Sequence, residues 1–202
     1  MDRRRTIRTI TLASGLVLVA TACGGDDEPA AATTTSSSAT TEPTRERCSA
    51  SGLDDDAEPQ DGLPDAVART RQEIVAAAVA CDYDALSELA GDEFSYTFGL
   101  AEQPPGEYWR DLEARGEDPL RALVELLNVP YGTIDIEGAA LYVWPSAFTY
   151  ESWDAVPEED KRALESLYDE EDFEAFETSG SYLGYRIGIR EDGRWLYFIA
   201  GD

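Results

Sequence analysis

Tyr182-Leu183-Gly184-Tyr185-Arg186-Ile187-Gly188-Ile189-Arg190 and Trp195-Leu196-Tyr197-Phe198-Ile199-Ala200 are two runs rich in aromatic and β-branched residues, separated by a turn signal at Asp192-Gly193. Such a pair predicts a β-hairpin. Successive side chains of a strand point to opposite faces, so a two-residue turn fixes which residues share a face. With the turn at Asp192-Gly193, Tyr185, Ile187 and Ile189 stand beside Leu196, Phe198 and Ala200 as the core face. The other face sets Arg186, Gly188 and Arg190 opposite Ile199, Tyr197 and Trp195. There arginine meets aromatic rings, an arrangement suited to receiving a carboxylate or a sugar ring. Ordinary cross-strand packing, with Tyr197 covering Gly188, is the competing reading of the same residues.

Upstream of the hairpin the apolar spacing is mostly helical. Leu63 and Pro64 introduce a helix running to about Ala80, with Val67, Ile74, Val75 and Ala78 on one face. Asp82 caps a shorter helix through Ala90, stopped by Gly91. Phe94 to Phe98 alternates like a strand. A third helix runs from near Pro105 to Gly116, and a fourth has Asp118 as cap, Pro119 at its first position, and buries Leu120, Leu123, Val124 and Leu127. Strands follow at Thr133 to Ile136 and Ala140 to Trp144, the second ended by Pro145. A fifth helix opens at Pro157 and buries Leu164, Leu167 and Tyr168, and Phe173 with Phe176 suggests another short turn.

This order predicts a single α+β domain, a curved antiparallel sheet packed against helices. Asp82-Tyr83-Asp84-Ala85-Leu86 ahead of a Phe/Tyr strand resembles the second helix and first long strand of NTF2-like cone domains. The resemblance implies a cone-shaped pocket, in a fold that hosts both enzymes and binding modules. Trp144, Tyr142 and Trp153 then either add to such a pocket or fill the core.

The N-terminal segment has a different character. Arg3, Arg4, Arg5 and Arg8 precede an uncharged run from Ile10 to Ala22, the pattern of a secretory signal. A helix over that run would span roughly 20 Å, short of the ~30 Å hydrocarbon core of a bilayer. Val19-Ala20-Thr21-Ala22-Cys23 resembles the lipobox of bacterial lipoproteins, which implies cleavage before Cys23 and attachment of lipid to its thiol. Residues 1–22 would be the signal peptide. The expected address is the extracytoplasmic face of a cell membrane, held through acyl chains.

Residues 24–47 are almost all small or polar, with the run Thr33-Thr34-Thr35-Ser36-Ser37-Ser38, and cannot bury enough to order themselves, so 23–47 reads as a lipidated cysteine and disordered linker. All 20 aromatic residues lie at Tyr83 or later, and the globular domain is expected over 62–202, after an acidic segment 48–61. Outside the cell Cys48 and Cys81 are expected to pair and tie that segment down, two free thiols being the alternative.

Charge and missing residue types narrow the function. The chain carries 42 acidic and 16 basic side chains, net −26; loss of residues 1–22 leaves 41 against 12, net −29. A surface so acidic argues against a nucleic-acid partner, because phosphate contacts need lysine and arginine. No histidine is present, which removes imidazole acid-base chemistry and the commonest zinc ligand. Phosphate-cradling and dinucleotide-binding glycine motifs are absent, and no cofactor is expected.

The runs Asp54-Asp55-Asp56, Glu158-Glu159-Asp160 and Asp169-Glu170-Glu171-Asp172 lack EF-hand spacing and read as solvated acidic faces, with weak calcium binding as the alternative. What remains is the hairpin set Arg186, Arg190, Trp195 and Tyr197, the candidate ligand site of a non-catalytic module for a small molecule or an envelope partner. The alternative is a small NTF2-like hydrolase or isomerase using pocket carboxylates and tyrosines.

Overall fold

The computed structural model describes residues 47–99 and 102–201. The signal, lipobox and linker expectations, Cys23 among them, lie outside the described residues. Four helices come first: α1 at Asp65–Val79, α2 at Tyr83–Ala90, α3 at Pro105–Ala114 and α4 at Pro119–Asn128. Strands β1 at Gly132–Ile136 and β2 at Ala139–Trp144 follow. Two 3-10 turns, Ser146–Thr149 and Trp153–Ala155, lead to helices α5 at Glu158–Ala163 and α6 at Glu170–Ser179, and the chain closes with β3 at Arg186–Arg190 and β4 at Trp195–Ile199. The strands form one curved antiparallel sheet in the order β1-β2-β3-β4, so the class is α+β.

Apolar burial explains which side of the sheet the helices take. Helices α1 and α4 contact β3, and α2 contacts β4. They cover the face that presents Trp144, Ile187, Ile189, Trp195 and Phe198, all at most 2 % exposed. Leu120, Leu123, Leu126 and Leu127 of α4 are fully buried, each such side chain contributing about 1.5–3 kcal/mol. Arg71 lies four residues after Val67 on the same face of α1 and is itself buried. Its Nε donates to the carbonyl of Leu127 at 2.7 Å, Nη1 to that of Glu58 at 2.6 Å, and Nη2 to Asn128 Oδ1 at 2.9 Å. The guanidinium thus satisfies acceptors at the C-terminal end of α4 that no intrahelical N–H reaches.

Residues 48–61 are part of the packed unit rather than an appendage to it. Cys48 and Cys81 are disulfide-bonded with their Cα atoms 5.7 Å apart, and Ala50 is fully buried. Gln60 accepts from Trp144 Nε1 at 3.0 Å and donates to the carbonyl of Val129 at 2.8 Å. Ser49 and Glu113 do work that Asp118 was expected to do. Asp118 is the N-cap of α4 but makes no side-chain cap bond. Instead Leu120 N–H donates to Glu113 Oε1 at 3.3 Å and Arg121 N–H to Ser49 Oγ at 3.0 Å, while Ser49 donates in turn to Glu113. The helix is capped from the end of α3, seven residues back, and from Ser49, 72 positions away.

Besides the Asp118 cap and the fifth helix, which ends at Ala163 before Leu164, Leu167 and Tyr168, three sequence expectations change. Phe94 to Phe98 is not a full strand: Ser95 alone forms a parallel bridge with Tyr197 along the outer edge of β4, donating to Leu196 O and accepting from Phe198 N. The acidic run at Asp169 is not just a solvated face, because Asp169 and Asp172 form a capping box that starts α6, which carries Phe173 and Phe176 on ten residues of helix rather than a short turn.

The third change is in the hairpin. Arg190 N–H donates to the carbonyl of Arg194, and Gly193 sits at φ 89°, so the loop has three residues, Glu191 to Gly193. That shift brings Ile189 opposite Trp195 and would reverse every later side chain of β4. A bulge between Trp195 and Tyr197 takes up one residue, Leu196, and restores the pairs Gly188 with Tyr197, Ile187 with Phe198, and Arg186 with Ile199.

Candidate functional site

Along β1 and β2, the residues on the face away from the helices are Gly132, Ile134, Ile136, Leu141 and Val143; on β3 and β4 they are Arg186, Gly188, Tyr197 and Ile199. Two glycines shape this face. A Cβ on Gly132 would stand 2.3 Å from Thr149 Oγ1, so the glycine lets the 3-10 turn Ser146–Thr149 lie against the sheet and bring Phe148 over it. A Cβ on Gly188 would stand 2.4 Å from Tyr197 Cζ, so the Tyr197 ring occupies the space above that residue.

A groove of about 450 Å³ follows from this arrangement. Its floor is Ile134, Leu141, Arg186, Tyr197 and Ile199; Phe148 forms one wall, and Thr97, Phe98 and Gly99 beyond the β4 edge form the other. Phe98 and Ile136, 56 % and 45 % exposed, are the large apolar side chains at its rims. The Arg186 guanidinium carbon lies 4.6 Å from the ring centre of Phe148 and 5.6 Å from that of Phe98. Cation–π attraction on two sides holds the charge across the groove. Nη1 donates to the carbonyl of Gly201, and no carboxylate pairs with Arg186 among the described residues. Burial pushes the Tyr197 phenol up to about 12, with Arg186 pulling the other way, so it stays a neutral donor at ordinary pH.

Of the four hairpin residues singled out from sequence, the structure brings two together in the groove, Arg186 and Tyr197. Arg190 pairs with Leu141 on the same face but does not line the groove. Trp195 is placed on the opposite face, a correction that the longer turn and the bulge explain. It is 2 % exposed, lies 5.7 Å from the ring of Trp109 in a stacked pair, and donates Nε1–H to the carbonyl of Tyr197 at 3.0 Å. Trp144 and Trp153 are core residues, and Tyr142 packs partly buried against Tyr131 on the helix side. Phe98, Phe148, Ile134 and Leu141 were not foreseen as groove residues, since nothing in their spacing ties them to the hairpin.

Carboxylates lie elsewhere. Among the described residues none lines the groove, while Glu102 and Asp111 border an open cleft of about 300 Å³ with Tyr96, Tyr108 and Arg115. Asp54, Asp55 and Asp56 gather carboxylate oxygens within 4.8 Å of one another, all exposed. Asp54 Oδ1 is taken by the backbone N–H of Asp56. Among the described residues no helix is long and apolar enough to cross a membrane. Compared with known proteins, the chain matches no family model, no curated protein and no solved structure.

Proposed function

We propose that the chain is the precursor of a membrane-anchored extracytoplasmic lipoprotein whose domain is a non-catalytic binding module, its ligand seated in the groove over Arg186 and Tyr197. The address rests on the basic leader, the short apolar run and the lipobox-like Val19 to Cys23. The binding role rests on one observation: a groove of ligand size that is apolar on most sides, holds a few polar groups, and among the described residues is lined by no carboxylate to act as base. A net charge of −26 argues against a nucleic-acid partner and leaves the lipid chains as the contact with the membrane.

Expression of the full chain in a bacterium fed an alkyne-labelled fatty acid tests the address. Label on the wild-type protein in the membrane fraction, absent from Cys23→Ala, supports it; equal labelling of both, or of neither, overturns it. A thermal-shift screen of the full chain against small acids, sugars and amines tests the domain. A shift abolished by Arg186→Gln supports the groove, and an unchanged shift in that variant overturns it.

One observation favours a hydrolase or isomerase instead, namely the cleft that sets Glu102 and Asp111 beside Tyr96 and Tyr108. Both carboxylates are exposed to solvent, in a cleft that stands open rather than enclosing a substrate. Turnover of ester or epoxide substrates that disappears in Asp111→Asn would favour this reading over the first.

A further inference from the structure

The groove's chemistry narrows the ligand class, on the reading that the groove is a binding site. We infer that it takes an amphipathic monocarboxylic acid, its head on Arg186 and Tyr197 and its unbranched apolar tail over Ile134, Leu141 and Ile199.

Charge selects the head. Arg186 is the sole charged residue lining the groove among the described residues, and it has no carboxylate partner there. In a chain of net charge −26, where carboxylates greatly outnumber cations, an arginine held between two phenyl rings with no anion beside it among the described residues is a site for one negative charge. A dianion such as a phosphate monoester would bring a second charge that nothing in the lining neutralises. The Tyr197 hydroxyl makes no hydrogen bond among the described residues, and its raised pKa keeps it a donor. Guanidinium and phenol, both in the groove lining, each offer a donor to a carboxylate oxygen.

Apolar surface selects the body. Three of the groove's side chains are isoleucines and one is a leucine, and the polar lining besides Arg186 and Tyr197 is two hydroxyls, Ser95 and Thr97. A sugar needs several paired donors and acceptors, supplied in most sites by carboxylates and amides. None of Asp, Glu, Asn or Gln lines this groove among the described residues. Burying sugar hydroxyls here would leave them unpaired. A cationic amphiphile would meet Arg186 with no counter-charge. A hydrocarbon tail has nothing to leave unpaired, and the exposed Phe98 and Ile136 at the rims lengthen the surface it covers.

The test is isothermal titration of the full chain with decanoate, 1-decanol, decylammonium and acetate, each below its aggregation limit. Decanoate is expected to bind ~10- to 100-fold more tightly than decanol, the range for losing one charge-assisted hydrogen bond. Decylammonium and acetate are expected not to bind measurably. Arg186→Gln should remove the preference for decanoate over decanol. Ile136→Ser, at an exposed rim position, should weaken decanoate and decanol alike without disturbing the fold. Equal binding of decanoate and decanol, a preference for decylammonium, or a decanoate affinity untouched by Arg186→Gln would overturn the acid while leaving the groove as a site. No binding of any probe would overturn the groove with it.

Discussion

Tyr197 occupies the space that a side chain on Gly188 would need: a Cβ there would lie 2.4 Å from Cζ and 2.5 Å from Cε1 of the ring. The two residues are cross-strand partners in β3 and β4. Glycine at 188 is therefore the condition for a large aromatic ring lying over the centre of the open sheet face.

Gly188→Ala should displace that ring and cost about 1–3 kcal/mol, the usual penalty for overpacking. The same substitution in a Tyr197→Ala background should cost much less, because the clash is then gone. Urea denaturation of the two single variants and the double variant measures this coupling. Additive costs would show that the contact is not what requires the glycine.

The disulfide closes a separation of 33 residues between Cys48 and Cys81. In the chain-entropy model, replacing both cysteines with serine should lower stability by about 4 kcal/mol. Since residues 48–61 carry Ser49, Gln60 and the Glu58 carbonyl to their partners, the loss should also appear as faster hydrogen exchange at the Arg121 amide and the Trp144 indole N–H. A denaturation midpoint unchanged by dithiothreitol would contradict this.

The start of α4 separates capping by its own N-cap residue from capping by side chains outside the helix. Glu113→Ala removes acceptors for Leu120, for the Ser49 hydroxyl and for the Ser49 backbone N–H, which donates at 2.8 Å, and should cost about 1–2 kcal/mol. Asp118→Ala should stay within about 0.5 kcal/mol because its side chain makes no cap bond. Thermal melts of the two variants give the order; the reverse order would return the cap to Asp118.

Tyr168, Tyr182 and Tyr185 close a hydrogen-bonded ring: Tyr185 N–H donates to Tyr168 Oη at 2.8 Å, Tyr168 Oη lies 2.9 Å from Tyr182 Oη, and Tyr182 donates to the Tyr185 carbonyl at 2.6 Å. Burial pushes the Tyr168 phenol up to about 12 and raises that of Tyr182 as well. A phenol raised above its unfolded value of about 10 favours folding fully below pH 10, and that stability is lost as pH rises through 12. Stability should thus fall steeply above pH 10, with these phenols ionising late in a 295 nm titration. Tyr168→Phe should flatten that fall and cost about 1–2 kcal/mol at neutral pH, where it leaves the Tyr185 N–H unpaired. An alkaline limb unchanged in Tyr168→Phe would exclude the ring as its source.

Elements whose signals are local were readable in the sequence. Val67, Ile74, Val75 and Ala78 mark α1, Pro119 marks the start of α4, and Asp192-Gly193 marks the hairpin, each within a few residues of the element it defines. The hairpin also shows how a local signal misleads. The turn is one residue longer than read, which alone would reverse β4, and the bulge at Leu196 reverses it back. Arg186 and Tyr197 therefore share the face foreseen for them, while Trp195 does not. Contacts between distant residues left no local trace: Arg71 is polar in the middle of an apolar stripe because of the Leu127 carbonyl and the Asn128 side chain, more than 50 positions away, and Phe148 reaches the groove because Gly132 lets its turn approach.

The bridge at Cys81 has a mechanical consequence. Tension applied to the chain before Cys48 passes through the sulfur atoms straight to the junction of α1 and α2, so residues 49–80 are bypassed as a load path. The strap that carries Ser49, Ala50 and Gln60 cannot be peeled from its end. A tug from that side must instead strain α2, which packs on α1, α3 and β4, and so meets the interior of the fold at once.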